Sequence, residues 1–436
     1  MRILIVTIFY LLQFSLSIHA QNLSKVYVLS EGGFSPASSK LSLLDLNNNS
    51  FQGSIFNPGQ LGLYPDGMIL HENYLYILEQ GNYGGSGKIF KLDTNGTVIN
   101  SASVGTNPYS LAISNSKIYI TNGSIGKVSV LSLTDFTLLK EITVGVYPQE
   151  IIAYQNQVFI ANTSFWGGAS DSTITVIDAL SDSIINTLIV KKDPSALAIS
   201  NDGFLLVGCP GDVETGRIFK FNPNDFSLID TYSISAGGFS KDISLDKVNG
   251  DIYFIAYSND IVKMDLQNKS SSIIVTSVFP INYFYGYAFD YINQKHYLLD
   301  ANDFVASGEL LVYNNAGVQQ QNFATGVAPR RVLLKYNESV SSVKNEVSTK
   351  SFSLEQNYPN PFNPTTNISW QMSSTNHVSL KVFDLLGNEI ITLVDEVKNS
   401  GHHSIQFNGK GLSSGVYFYV IKSGNYSEKR KMILLY

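Results

Sequence analysis

Short apolar runs, each closed within a few residues by Gly, Asn, Asp or Pro, return at a steady spacing along the first three-quarters of the chain. The clearest copy is Gly105-Thr-Asn-Pro-Tyr-Ser-Leu-Ala-Ile-Ser-Asn-Ser-Lys-Ile-Tyr-Ile120, a Pro-x-x-Leu phrase, a polar turn and a second apolar run. Aligning that phrase gives seven anchors: Pro65, Pro108, Pro148, Pro194, Ser240, Phe284 and Pro329. They are separated by 43, 40, 46, 46, 44 and 45 residues. The first six are followed by second runs such as Lys117-Ile-Tyr-Ile120, Gln157-Val-Phe-Ile160 and Asp251-Ile-Tyr-Phe254. Third runs come next, as in Lys127-Val-Ser-Val-Leu131, and phrases such as Asp93-Thr-Asn-Gly96 turn them into a fourth. Apolar runs of this length between turn formers read as strands.

Four strands per 40–45 residues is the pattern of a β-propeller blade. No single blade buries both of its faces, so stacking on its neighbours has to supply the core. The two ends of the repeat region are incomplete in complementary ways. Lys25-Val-Tyr-Val-Leu29 and Lys40-Leu-Ser-Leu-Leu-Asp45 match second and third strands, whereas Pro329-Arg-Arg-Val-Leu-Leu334 matches a first strand with nothing after it. Pairing the late strand with the early ones closes a ring and leaves no open edge. The expected fold is therefore all-β: a seven-bladed β-propeller over residues 22–337, with a mixed N/C-terminal closing blade.

Residues 338–350 are polar, lack paired strand signals and read as a linker. Residues 351–436 carry six or seven short strand candidates, among them Val378-Ser-Leu-Lys-Val382 and Val416-Tyr-Phe-Tyr-Val420, as expected of a small Ig-like β-sandwich.

Composition narrows the partners. Residues 21–350 hold 21 basic and 29 acidic side chains, a balance of −8, which disfavours nucleic acid and anionic membranes. Residues 1–20 read as a secretory signal peptide, with Arg2 at its start and an apolar run from Ile3 to Leu16 that is short for a bilayer span. No retained transmembrane segment is expected, and the exported chain is read as a monomer. Cys209 is the only cysteine, so no intramolecular disulfide forms.

The tail resembles a known family. Leu354-Glu-Gln-Asn-Tyr-Pro-Asn-Pro-Phe-Asn-Pro-Thr-Thr-Asn-Ile368, Val382-Phe-Asp-Leu-Leu-Gly-Asn-Glu389, Leu412-Ser-Ser-Gly-Val-Tyr-Phe-Tyr419 and Lys429-Arg-Lys-Met-Ile-Leu-Leu435 stand in the order of the type A C-terminal sorting domain of the bacterial type IX secretion system. The resemblance implies that the tail engages the type IX machinery, carries the protein across the outer membrane, and leaves it at the cell surface or released after cleavage. The residues carrying it are Asn357, Pro359, Pro361, Phe362, Pro364, Gly387, Gly415, Lys429 and Lys431. Phe407 stands where many relatives have Trp. The repeats, through Val144-Gly-Val-Tyr-Pro148 and Val104-Gly-Thr-Asn-Pro108, resemble YVTN-type propellers, which implies a fold and little about function.

Standard catalytic constellations are incomplete. His71-Glu-Asn-Tyr-Leu75 lacks the second His of a zinc motif, and Gly84-Gly-Ser-Gly-Lys88 lacks the flanking residues of a phosphate loop. The propeller's two histidines, His71 and His296, fall by first-to-second-strand turns, away from the side on which interblade loops and second-to-third-strand loops gather. That side is the expected ligand face.

Its candidates are Tyr64, Tyr147, Asp193, Phe239 and Tyr283 before the anchors, with Tyr83, Phe165, Trp166 and Phe304 in the longer loops. Aromatic platforms beside carboxylates suit a glycan, a peptide or a cation; the same aromatics are equally suited to packing between blades. Asp171, Asp212 and Asp303 are weak candidates for calcium. The reading is a non-catalytic binding protein for a glycan or another protein. The alternatives are a carboxylate- or calcium-dependent lyase or lactonase of the kind related propellers imply, or a structural surface-layer component.

Overall fold

The computed structural model describes residues 22–33, 38–57, 65–81, 84–165, 168–210, 216–278, 282–337, 352–372, 375–384, 388–399, 401–423 and 426–435. The expected signal peptide and linker lie outside the described residues. The chain divides into two compact units, Met1–Ser339 and Val340–Tyr436.

Among the described residues, the first unit contains seven antiparallel sheets of four strands. Numbered along the chain, sheet one pairs Pro329–Asn337 with Asn22–Ser30, followed by Lys40–Asp45 and Ser50–Phe56. Val26 faces Leu334, Tyr27 faces Leu333 and Val28 faces Val332, so the late strand joins the early ones as the sequence predicts. The other six sheets are each built from one stretch of chain: sheet two from 65–106, sheet three from Pro108–Ser114, Lys117–Asn122, Lys127–Ser132 and Leu138–Thr143, sheet four from 147–189, sheet five from 196–233, sheet six from 241–275 and sheet seven from 284–327. Each first strand lies against the first strands of the sheets before and after it. The series ends where Pro329–Asn337 meets both Phe284–Asp290 and Pro65–His71.

Period-two alternation accounts for this ring. Along Asn22–Ser30, Tyr27 and Leu29 enter an apolar cluster shared with Leu75, Ile77 and Leu92 of sheet two. Val26 and Val28 point the other way, toward Tyr297, Leu299 and Leu310 of sheet seven. Successive residues of a strand face opposite sides of the sheet, so a run apolar at every position buries both faces. Seven such clusters lie at the seven seams. Fourth strands leave the stack, and Leu138, Leu139, Ile184, Ile185, Leu228 and Ile229 are exposed.

A bulge recurs two or three residues into the first strands, between Pro65 and Met68, Pro108 and Leu111, Pro148 and Ile151, Lys241 and Ser244, and Phe284 and Gly286. An extra residue there bends the strand and aims the side chains after the anchor at the axis.

The second unit has a sheet of Phe352–Leu354, Thr365–Met372 and Gly401–Asn408, and a second ordered Glu389–Lys398, Asn376–Phe383, Gly415–Ser423, Tyr426–Leu434. Ile368 and Trp370 from the first sheet and Val378, Leu380, Tyr419 and Met432 from the second share one buried core. Phe407 is buried with its ring 5.8 Å from that of Phe362.

Candidate functional site

First strands start, and second strands end, on one side of the ring. On this loop face the residue before the anchor has a recurring task. Asn107 Oδ1 accepts from the Gly84 amide at 2.7 Å, and Asp193 Oδ1 accepts from the Ser164 amide at 2.7 Å. Both adopt left-handed backbone, with φ of 48° and 59°, a region that short amide and carboxylate side chains tolerate best. In this way each fastens the preceding sheet's second-to-third loop.

The predicted site residues separate into groups. Tyr64, Tyr83, Trp166 and Asp212 lie outside the described residues, as does Gly387 in the tail. Tyr147 and Phe165 come together, ring centroids 5.7 Å apart, with Tyr147 half-buried and Phe165 40% exposed. Beside them a cleft of about 390 Å³ is lined by Gln149, Thr163, Phe165, Lys192, Asp193 and Ser195. It offers one exposed aromatic face, one cation and one carboxylate between sheets four and five.

Tyr283 and Phe304 meet elsewhere on the face, 5.2 Å apart, and the ring of Tyr285 lies 5.0 Å from Phe304. The Lys241 ammonium stands 4.2 Å over the Tyr285 ring, whose hydroxyl donates to Glu31 at 2.9 Å.

Phe239 departs from its expected place. It is buried against Phe254, 5.2 Å away, and covers Gly208, where a Cβ would sit 2.1 Å from the ring. The absence of a side chain at Gly208 opens the slot that draws the ring inward, and Phe239 presents nothing to a ligand.

The candidate calcium carboxylates serve their own loops. Asp171 accepts from the Val146 amide and the Thr173 hydroxyl, and Asp303 from the amides of Val305 and Ala306. Among the described residues no group of three or more His, Cys, Asp or Glu is arranged to hold a metal ion. His296 is buried, paired with the Tyr287 hydroxyl at 2.8 Å, and burial pushes its pKa down to about 4. Burial likewise pushes the Cys209 thiol up to about 12, which leaves it a poor nucleophile.

Two features escaped the sequence reading. The first lies on the axis. Arg330 and Arg331, from the closing strand, reach across to sheets four and six. Arg330 Nη1 donates to both oxygens of Asp242 at 3.1 Å, and Arg331 Nη2 donates to Glu150 Oε1 at 2.6 Å. Arg330 Nη2 is 3.8 Å from Glu150 and Arg331 Nη1 4.0 Å from Asp242, so the four charges form one network. The Arg331 guanidinium lies over Tyr109 and that of Arg330 over Tyr285. Gly286 leaves room for the Arg330 carbonyl, 2.3 Å from where a Cβ would stand. The signal is a polar side chain one or two places after each anchor, the positions that the bulge turns inward.

The second is Glu79, at the end of a second strand, where sheets three, four and seven place Asn122, Asn162 and Asp300 in hydrogen-bonded networks. Glu79 is buried and its Oε2 has no hydrogen-bond partner among the described residues. Desolvation raises its pKa from 4.5 to about 7, against a smaller opposing pull from Lys88. With a folded pKa above the unfolded one, the fold holds a proton that the open chain has lost. Its stabilising contribution is complete below about pH 4.5 and disappears as the pH rises through about 7. Denaturant titrations across this window are expected to show stability declining with pH, and Glu79→Gln to flatten the decline.

Comparison with known proteins bears on both units. Residues 356–435 match the family described as Secretion system C-terminal sorting domain. No curated protein matches the sequence significantly. Among solved structures, hydrazine synthase of Kuenenia stuttgartiensis is 14% identical with a TM-score of 0.51, covering 63% of this chain and 96% of that one. A quinonprotein alcohol dehydrogenase-like protein from Bacteroides thetaiotaomicron is 14% identical with a TM-score of 0.55, covering 71% and 78%. The β-propeller domain of Cps50 (Swd1) from Myceliophteria thermophila is 13% identical with a TM-score of 0.47, covering 61% and 87%. Identities this low speak to the fold alone. The first unit has a β-propeller fold and residues 356–435 match a sorting domain, which implies export to the cell surface through type IX secretion. No helix of the described residues is long and apolar enough to cross a membrane.

Proposed function

We propose that the protein is an exported binding protein: a seven-bladed, YVTN-type propeller that recognises a glycan or another protein through its loop face, delivered by an Ig-like sorting tail. The blade count is supported by the closed series of first strands and the seven apolar seams. The binding role rests on the cleft between sheets four and five, which exposed Phe165, in contact with Tyr147, lines together with Lys192 and Asp193. An exposed aromatic face held rigid by a second ring is a low-entropy platform for stacking a sugar or an apolar side chain. The flanking charges orient the bound group.

A non-catalytic role is favoured because the carboxylates on this face are engaged in loop hydrogen bonds and neither propeller histidine is placed for proton transfer there. Glycan-array and peptide-array screening of the full exported chain, followed by calorimetry on the best hit, tests the reading. Phe165→Ala is expected to weaken binding at least about tenfold, the size of a truncated aromatic anchor. Unchanged affinity in that variant, or no binding to either array, would discard it.

A further inference from the structure

The opposite side of the ring, where first-to-second and third-to-fourth turns meet, holds a larger cavity. Between sheets five and six a groove of about 730 Å³ is lined by Asn201, Asp202 and Lys220 on one wall and Asn249, Asp251 and Lys263 on the other. We propose that this groove is a second binding site, independent of the loop-face cleft, and that its ligand is an uncharged oligosaccharide.

A contact made at two other seams is not made here among the described residues. At the seam of sheets one and two, Lys25 Nζ and the Tyr27 hydroxyl both donate to the Thr94 carbonyl, at 3.1 and 2.9 Å. At the seam of sheets three and four, Lys117 bonds Asp182 and the Tyr119 hydroxyl donates to the Ala179 carbonyl. In both places a Lys and a Tyr of the second strand bolt down the next sheet's third-to-fourth turn. The matching residues of sheet five are Phe204 and Leu206, which have no polar reach. Phe204 instead carries the Lys220 ammonium 4.6 Å above its ring. The bolt is missing, and the seam stands open.

The chemistry of the walls selects the ligand. Lys220 pairs with Asp202 and Lys263 with Asp251, each at 2.7 Å, so each wall presents a donor and an acceptor side by side, and the remaining carboxylate, Asp265, accepts from the amides of Gln267 and Asn268 in its own turn. An anion or a cation would have to displace one member of such a pair, whereas a hydroxyl can accept from the ammonium and donate to the carboxylate together. Two fixed acceptors add to this. Asn201 and Asn249 spend their Nδ2 groups on Asp246, at 3.2 and 2.8 Å, which locks both amides and leaves their oxygens to receive hydroxyl protons. Donors and acceptors held by a supporting shell are what orient a polar ligand, and the volume is within the usual range of ligand pockets, about 300–1,000 Å³.

The test uses the full exported chain against neutral oligosaccharides of three to six residues, with uronic-acid oligosaccharides and short peptides as comparison probes. Gln267 lines the groove, and its hydrogen bond to Asp265 is made by its backbone amide, so Gln267→Trp obstructs the cavity without removing an internal bond. Affinity for the neutral probe is expected to fall about tenfold or more in Gln267→Trp, less in Lys263→Met, and not at all in Phe165→Ala. Failure of every neutral probe to bind, preference for the acidic or peptide probes, or equal affinity in a folded Gln267→Trp chain would overturn the proposal. Binding that responds only to Phe165→Ala would leave the loop-face reading standing and remove this one.

Discussion

Arg330→Met is expected to destabilise the propeller by about 3–5 kcal/mol, the usual cost of removing one partner from a buried ion pair. Arg330 is 5% exposed and Asp242 is 12% exposed at the side chain. Without the guanidinium, Asp242 keeps a charge that loses its two hydrogen bonds from Arg330 and has only the more distant Arg331 guanidinium, 4.0 Å away, to offset its lost hydration. Removing both members is expected to cost much less: Arg330→Met with Asp242→Leu exchanges two buried charges for apolar groups of related size, which is often neutral. Urea unfolding of the full chain, followed by a signal from the first unit, distinguishes the two cases. Equal losses in the single and double variants would show that the network contributes packing alone. Burial also makes the effect insensitive to salt, since screening acts mainly on exposed charges. Because Arg331 and Glu150 share the network at 2.6 Å, effects at the two pairs should not add.

This network shows where sequence reading reached its limit. The ring itself was legible because its cause is local and repeated. Runs such as Val26-Tyr-Val-Leu29 are apolar at successive positions, and only a strand packed on both faces requires that. The complementary ends predicted the pairing of Val28 with Val332, across three hundred residues, from edge chemistry alone. Side-chain direction was harder. Arg330 and Arg331 are ordinary strand charges until a bulge turns them to the axis, where sheets four and six supply partners far away in sequence.

Phe239 failed for a related reason. Its place before an anchor marked it for the loop face, but the slot that captures it is made by Gly208, on the second strand of the preceding sheet. Phe165 and Phe304, on the longer loops, stay partly exposed because a loop aromatic has fewer places to hide. Whether the fold serves a ligand is a matter of sites and not of architecture.

Deleting residues 431–436 is expected to abolish surface delivery and leave the protein in the periplasm. The strand Tyr426–Leu434 is held on both sides. One side pairs with Gly415–Ser423. The other is clasped by the Pro-Asn segment: the Phe362 amide donates to the Ile433 carbonyl at 2.9 Å, and the Leu435 amide to the Phe362 carbonyl at 3.0 Å. The Ile433 amide donates to Asn360 Oδ1 at 2.8 Å, and Gln356 Nε2 to the Lys431 carbonyl at 2.7 Å. Asn357, buried, donates to the Pro359 carbonyl and the Thr366 hydroxyl and so fixes the course of that segment. Losing the strand end removes Met432 and Leu434 from the core, at about 2–5 kcal/mol for each large side chain, and strips Phe362 of its backbone partners.

Against a small sandwich of marginal stability, losses of that size unfold the tail, and an unfolded tail offers the machinery no surface to recognise. Lys429 and Lys431 are exposed, so Lys429→Ala with Lys431→Ala is expected to leave the fold intact. Delivery lost in that double variant would assign recognition to the charges; delivery retained would assign it to the folded sandwich. Fractionation of cells into periplasm, surface and medium reads all three chains, and normal surface delivery of the truncated one would refute the sorting role.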